Sequence, residues 1–259
     1  MNIDIFIPAR LDSRRLEKKH LQQINKIPAI EHLVNRLKNC KNFSNIIVCT
    51  TNRPTDDALV NFLKEKKILF FRGDEKNILK RFHDAAKKFN TDVIIDVEGD
   101  KLFIEPNYVD KIILQMKSHD YDFLIGSNSL SSFDPNDHFV HGIIPTAIRT
   151  SCLKQISELN INKNKETGYK ELFINNSKIK KKFFVLDTSK LDIPKNLRLT
   201  LDYPEDLEFT KKLFSKLKNN FSYQDVLDVL KNNPDFLKII QNLHERWRDN
   251  YNKEISNNL

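Results

Sequence analysis

A short apolar strand is followed by an amphipathic helix, and this pairing repeats through the first half of the sequence. Ile3, Ile5 and Ile7 alternate with Asn2, Asp4 and Phe6, and Pro8 closes the run. Residues 29–39 then place Ile30, Leu33, Val34 and Leu37 on one helical face. NIIVCTT, ILFFRG, DVIIDVEGD and DFLIGS predict further strands. TDDALVNFLKEKK, KNILKRFHDAAKKF and the stretch from Asn107 to Met116 predict the helices between them, with Thr55 capping the first of the three. Apolar strand centres separated by helices predict an α/β fold with a doubly wound, mostly parallel sheet.

The turn-rich stretch SNSLSSFDPND interrupts this pattern. Residues 127–188 are expected to be a small α+β insertion, after which LRLTLDYPEDLEFTKKLFSKL returns to strand, turn and helix. One α/β domain is expected over residues 1–222, followed by a helical extension over 223–259 that starts at a Ser cap. The 259 residues suffice to bury roughly 70% of the unfolded surface, so no staples are needed.

Composition excludes several classes. The chain is 39% hydrophobic and 30% charged, which suits a soluble globular protein. Cys40, Cys49 and Cys152 are far apart, so they support neither a disulfide framework nor a zinc site. The first apolar stretch is too short for a leader, and no run approaches the roughly 20 apolar residues of a membrane span. A cytoplasmic protein with no membrane partner is expected. The formal charge is +8, and Lys178, Lys180, Lys181 and Lys182 form a basic run. A solvated face is preferred over nucleic-acid binding for these scattered lysines.

Three segments carry candidate chemistry. The loop after the first strand holds Arg10, Arg14, Arg15, Lys18, Lys19 and His20 at the carboxyl end of a strand, where open α/β sheets place ligands. It suits a polyanion such as a triphosphate, or is a basic surface turn; without glycine it is neither a Walker loop nor GxGxxG. Asp100 ends the buried strand VIIDVEGD, where a carboxylate is costly unless paired or bound to metal. Glu98 shares its face if the strand continues past Gly99. Asp202 ends the alternating LRLTLD run, as a helix cap or as a second carboxylate for one ion. His32 and His83 read as structural, His138 and His141 flank the insertion, and no GxSxG or HExxH motif is present.

Taken in order, these segments resemble the cytidylyltransferases that activate sugars and sugar acids. IPARLDSRRLEKKHL resembles the family's I-[PQ]-A-R-x-x-S-x-R-L-P-G-K-x-L, and VIIDVEGDKLFIEP resembles its metal-bearing strand. LRLTLDYPEDLEF resembles the closing L-R-[LW]-T-[VL]-D-x-P-E-D-L-E. The similarity reaches about residue 240. The 3-deoxy-manno-octulosonate branch shares the first and metal motifs. The spore-coat polysaccharide branch is closer at RGDEKNILKRF, HGIIPTAIRTSCL and KETGYKELF. The acylneuraminate branch is more distant, because its glycine-rich first loop is absent.

The resemblance implies a Rossmann-like sheet of the nucleotide-diphospho-sugar transferase type. It also implies CMP transfer from CTP to a Kdo- or nonulosonate-like sugar with release of pyrophosphate, for surface polysaccharide biosynthesis. Arg10, Lys19 and Asp100 are the expected catalytic residues. Pro8, Ala9, Arg10, Ser13, Arg15, Lys19, Arg72, Asp74, Asn77 and Glu98 are expected at the nucleotide, and Asp100 and Asp202 at Mg²⁺. His138, His141 and Tyr169 are acceptor candidates, and a homodimer is expected. The alternatives are a phosphorylated or phosphonate acceptor, or a catalytically decayed nucleotide-binding protein. Three departures stand out: Glu17-Lys18 replaces Pro-Gly, Glu98 replaces Gln or Thr, and Ile144 and Thr146 replace acidic residues.

Overall fold

Strand side chains alternate between two helical layers, and that alternation organises the molecule. The computed structural model describes residues 1–132, 138–158 and 166–258, without side chains at 138–139, 157–158 and 255–258. The elements in order are β1 (Ile3–Pro8), β2 (Gln23–Ile24), β3 (Ile27–Pro28), α1 (Ala29–Leu37), β4 (Ile46–Thr51), α2 (Asp57–Glu65), β5 (Leu69–Gly73), α3 (Ile78–Phe89), β6 (Val93–Asp96) and α4 (Pro106–Ser118). There follow β7 (Phe123–Ser127), α5 (His138–Ile143), β8 (Thr146–Arg149), α6 (Thr150–Glu158), α7 (Glu171–Ile174), β9 (Lys181–Val185), α8 (Pro204–Phe214), α9 (Tyr223–Asn232), α10 (Asp235–Ile240) and α11 (Leu243–Asn258).

The main sheet has the order β5-β4-β1-β6-β8-β7-β9. Its pairs are parallel except at β8, which runs antiparallel to both neighbours. Ile3, Ile5 and Ile7 of β1 enter one core with α1, α4 and α8, while Phe6 enters the other with α3 and α6. This is the doubly wound arrangement expected from the sequence. The stretch 127–188, expected as an insertion, supplies β8 and β9 to this sheet.

Two local expectations are corrected. Thr55 does not cap α2: Pro54–Asp56 form a single 3-10 turn, and Asp56 turns inward. There it accepts the Leu11 N–H at 2.7 Å and the Thr51 hydroxyl, so a buried carboxylate ties the first loop to the end of β4. The run Leu197–Asp202 is not a strand. It crosses the loop after β6, where the Leu201 N–H donates to the Asp100 carbonyl at 3.0 Å. Its period of two survives in its side chains. Leu197, Leu199 and Leu201 enter the core, while Arg198, Thr200 and Asp202 are buried among polar groups.

Candidate active site

The loops at the carboxyl ends of β1 and β6 form one cleft of about 230 Å³ together with residues 166–171, Thr200, Asp202 and α11. Strand-to-helix loops of neighbouring parallel strands emerge on the same side of the sheet, so β1 and β6 deliver their loops side by side. Pro8, Ala9, Arg10, Arg15, Lys19, Glu98, Asp100, His141, Tyr169 and Asp202 all line it.

The centre of the cleft is a charge cluster. The Lys19 ammonium donates to Asp100 Oδ2 at 2.7 Å and to Asp202 Oδ1 at 3.3 Å, so two carboxylates 102 positions apart meet on one cation. Arg15 donates to Asp202 Oδ1 at 2.9 Å. Arg198, with no exposed side-chain surface, donates to Asp202 Oδ2 at 3.2 Å and reaches Asp206. Asp206 also accepts the N–H groups of Asp202 and Tyr203, which fixes the entry to α8. Burial raises the Asp100 pKa against the pull of Lys19, with Asp202 and Glu98 adding to the rise. Burial alone would lower Lys19, but Asp100 and Asp202 hold it above its ordinary value.

Next to Gly99 this cluster gives way to a second one. Glu98 accepts from Lys101 at 2.9 Å and Lys170 at 3.0 Å. These two ammoniums outweigh burial and keep Glu98 well below the usual carboxylate range. Asp96, fully buried at the end of β6, accepts the Tyr169 hydroxyl at 2.5 Å. Burial, opposed by Lys170 and reinforced by Glu98, pushes Asp96 up to about 6. Burial, with Lys101 and Lys170 nearby, pushes His141 down to about 3. The charge that Glu98 adds in place of a neutral residue is thus matched inside the fold. Ile144 offers the Lys101 ammonium only its carbonyl, at 3.4 Å.

Backbone geometry holds the two clusters together. A Cβ on Gly99 would lie 2.6 Å from His20 Cε1 and 3.0 Å from the Pro8 carbonyl, so only glycine admits this close packing. His20 Nδ1–H donates to the Gly99 carbonyl at 3.2 Å, and burial, with Lys19 beside it, holds its pKa down to about 3. Gly168, at φ 77°, provides the left-handed turn before Tyr169. Lys18 adopts φ 48°, ψ 38°, the conformation glycine takes most easily, at the position where the family motif has glycine. The loop therefore makes a left-handed turn here without the residue that makes it easy. Glu17 is exposed and lies outside the cleft lining.

Other expected residues lie elsewhere. Ser13 accepts the Leu16 N–H at 3.4 Å within the loop. Arg72 holds the Thr51 and Arg53 carbonyls and Asp57. Asp74 accepts the N–H groups of Lys76 and Asn77, and Asn77 caps α3 by accepting from Lys80. None of these four lines the cleft. His138 begins α5, and its side chain is outside the described ones.

Several lining residues escaped the sequence reading. Glu166 accepts from the buried Arg81 through both oxygens, at 3.0 and 2.9 Å, and lies 3.8 Å from Arg10. Glu171, Trp247, Tyr251 and Glu254 form a further wall. Glu166 and Glu171 fall inside the quoted KETGYKELF segment without being singled out, and no local motif marks Trp247, Tyr251 and Glu254 on the polar C-terminal helix. Among the described residues no cluster of three or more His, Cys, Asp or Glu is disposed to hold a metal. Two converging carboxylates fit Mg²⁺, which takes one or two carboxylates and completes its shell from phosphate oxygens and water.

A family model described as Cytidylyltransferase matches residues 5–233. The chain belongs to the cytidylyltransferase family. The spore coat polysaccharide biosynthesis protein SpsF of Bacillus subtilis is 26% identical over 244 residues, covering 91% of this chain and 97% of that protein. A cytidylyltransferase structure from Leptospira borgpetersenii has a TM-score of 0.77 and 28% identity, covering 93% of this chain and 98% of that one. An 8-amino-3,8-dideoxy-manno-octulosonate cytidylyltransferase of Shewanella is 29% identical over 126 residues, covering 48% of this chain and about half (51%) of that protein. This cytidylyltransferase is a nucleotidyltransferase of the α/β class, as the sequence led us to expect. Among its described residues no helix is long and apolar enough to cross a membrane.

Proposed function

We propose that this cytidylyltransferase transfers CMP from CTP to an oxygen of a sugar or sugar-acid acceptor, releasing pyrophosphate, in the cytoplasm and for surface polysaccharide biosynthesis. The observation that carries this reading is the meeting of Asp100 and Asp202 on Lys19 in a cleft also lined by Arg10 and Arg15. Planar guanidinium groups and an ammonium at the end of β1 suit the oxygens of a triphosphate. The matched charge around Glu98 and the left-handed turn at Lys18 favour an active enzyme over a decayed one.

In this reading Arg10, Arg15 and Lys19 hold the triphosphate and stabilise charge that accumulates on the departing pyrophosphate. Lys19 exchanges carboxylate contacts for phosphate contacts as the nucleotide enters. Asp100 and Asp202 would hold Mg²⁺, which supplies charge neutralisation at the phosphates when bound. Asp56 keeps the loop in register by accepting the Leu11 N–H, and Arg198 keeps Asp202 in place. Catalysis is then positioning and electrostatics, with no covalent intermediate on the protein.

The test is incubation of the purified protein with each of the four nucleoside triphosphates, Mg²⁺ and a panel of sugars, sugar acids, and phosphorylated and phosphonate acceptors. Pyrophosphate release with CTP and a sugar or sugar acid is expected. Turnover confined to another nucleotide, or to phosphorylated or phosphonate acceptors, would overturn the reading. A homodimer is part of the proposal, and sedimentation of the purified chain tests it.

A further inference from the structure

The cleft has two chemically different linings. One carries Arg10, Arg15 and Lys19, assigned above to the triphosphate, with Asp100 and Asp202, assigned to Mg²⁺, between them. The other is built from α7 and α11 and carries Glu171, Trp247, Tyr251 and Glu254. Carboxylates repel phosphate, so this second lining is unsuited to the triphosphate. Carboxylates beside aromatic rings do suit a polyhydroxylated ring or chain, whose C–H groups pack on the rings and whose O–H or N–H groups donate to the oxygens.

Three observations show that this wall is assembled and not incidental. Trp247 and Tyr251, one helical turn apart, stack at 4.7 Å with 18° between their planes. The Tyr251 hydroxyl donates to Glu171 Oε1, locking α11 to α7, while Asn250 donates to the Tyr203 hydroxyl at 2.8 Å and Arg246 to Glu205 at 3.1 Å. Glu171 Oε2 is enclosed and, among the described residues, has no hydrogen-bond partner. A carboxylate oxygen left in that state is unfavourable, and a donor brought beside it relieves the cost. The chain thus keeps an unsatisfied acceptor within the wall of its own cleft.

We infer that α11 is the acceptor-side wall of the cleft, and that Glu171, Tyr251 and Trp247 hold the hydroxyl- or ammonium-bearing part of the acceptor away from the oxygen that is cytidylylated. This rests on the proposed cytidylyl transfer and assigns a role to a helix beyond the matched residues 5–233. Nucleobase stacking on the same rings is the competing occupant.

Trp247 is the only tryptophan in the chain, so its emission reports this wall alone. The experiment saturates the enzyme with Mg²⁺ and a CTP analogue carrying a methylene between the α and β phosphorus atoms. It is then titrated with 3-deoxy-manno-octulosonate and with its 8-amino-3,8-dideoxy counterpart. The expected result is a saturable change in Trp247 emission with at least one probe, the two sugars separating hydroxyl from ammonium donors. Glu171→Gln and Tyr251→Phe should weaken that probe roughly tenfold to hundredfold, the range for a hydrogen bond to a charged group, and leave the analogue's affinity within about twofold. Tyr251→Phe removes a single oxygen and keeps the test readable if Glu171→Gln folds poorly. Probe binding seen by calorimetry with silent emission and unaltered variants overturns the inference. So does loss of analogue affinity in the variants, which would assign the wall to the base. An analogue that binds while neither probe does overturns the wall and leaves the nucleotide reading standing. An analogue that fails to bind wild-type enzyme overturns both.

Discussion

Two buried ion clusters flank Gly99, and they differ in how their cations are held. Around Asp100 and Asp202 two cations, Arg15 and Lys19, come from the first loop, with 32% and 13% of their side-chain surface exposed, and a third, Arg198, is fully buried. Around Asp96 and Glu98 the cations Lys101 and Lys170 are 2% and 10% exposed, and Glu98 joins them. Arg15, about a third exposed on its loop, can exchange a carboxylate for an arriving anion at modest desolvation cost, and Lys19 lies on the same loop. Lys101, 2% exposed, cannot, because its ammonium removed from Glu98 is left unpaired at low dielectric. The first cluster is suited to turnover, and the second to keeping the strand end and Tyr169 in place.

The largest expected effect breaks or confirms that division. Asp100→Asn should lower kcat by roughly 10²–10³-fold, the scale for losing one electrostatic stabiliser, while Lys101→Met should lower it by less than about tenfold. Equal losses in steady-state assays would erase the distinction between the clusters. Next, Glu98→Gln restores the neutral residue of the family motif but leaves two buried ammoniums without their shared carboxylate. It should cost about 2 kcal/mol in urea unfolding, less than a fully buried pair because Glu98 is partly exposed. A neutral outcome would mean that the lysines find other partners.

Two buried groups beside the clusters, Asp96 and His20, should respond to pH with opposite sign. Asp96, held up at about 6, binds its proton more firmly in the folded state. Its contribution to stability is full below pH ~4, the ordinary carboxylate value, and is lost as pH rises through about 6. His20, held down at about 3, contributes above pH ~6.5, and this is lost as pH falls toward about 3. Relative to wild type, Asp96→Asn should gain stability between pH 4 and 7, while His20→Gln should gain it between pH 6.5 and 4, each by on the order of 1–2 kcal/mol. Parallel slopes in urea unfolding would contradict the two environments. The smallest effect concerns the loop itself. Lys18→Gly should stabilise the fold by about 1 kcal/mol, because the left-handed turn at φ 48° no longer strains a side chain. Destabilisation in the same assay would show that the lysine side chain is needed there.

What was legible in the sequence follows from how each feature is encoded. Strand–helix alternation and the basic loop are local patterns of spacing and burial, so the sheet was anticipated, whereas a shared ion for Asp100 and Asp202 was implied only by the family resemblance. Leu197–Asp202 showed the limit of that approach. Its period of two is real, but its backbone crosses a loop, and only backbone pairing distinguishes a strand from an extended segment. The second cluster was invisible for a related reason. Lys101 and Lys170 look like surface charges until the fold buries them around Glu98.

The sequence by itself determined the α/β class and the family, because apolar periodicity and ordered motifs are properties of neighbours along the chain. Only the tertiary structure decided that Lys18 adopts a left-handed conformation, that Glu98 is paired with two lysines, that Asp100 and Asp202 meet on Lys19, and that the C-terminal helix lines the cleft. Those outcomes depend on backbone conformation and on charges brought together from distant positions, and neither is carried by any local stretch of residues.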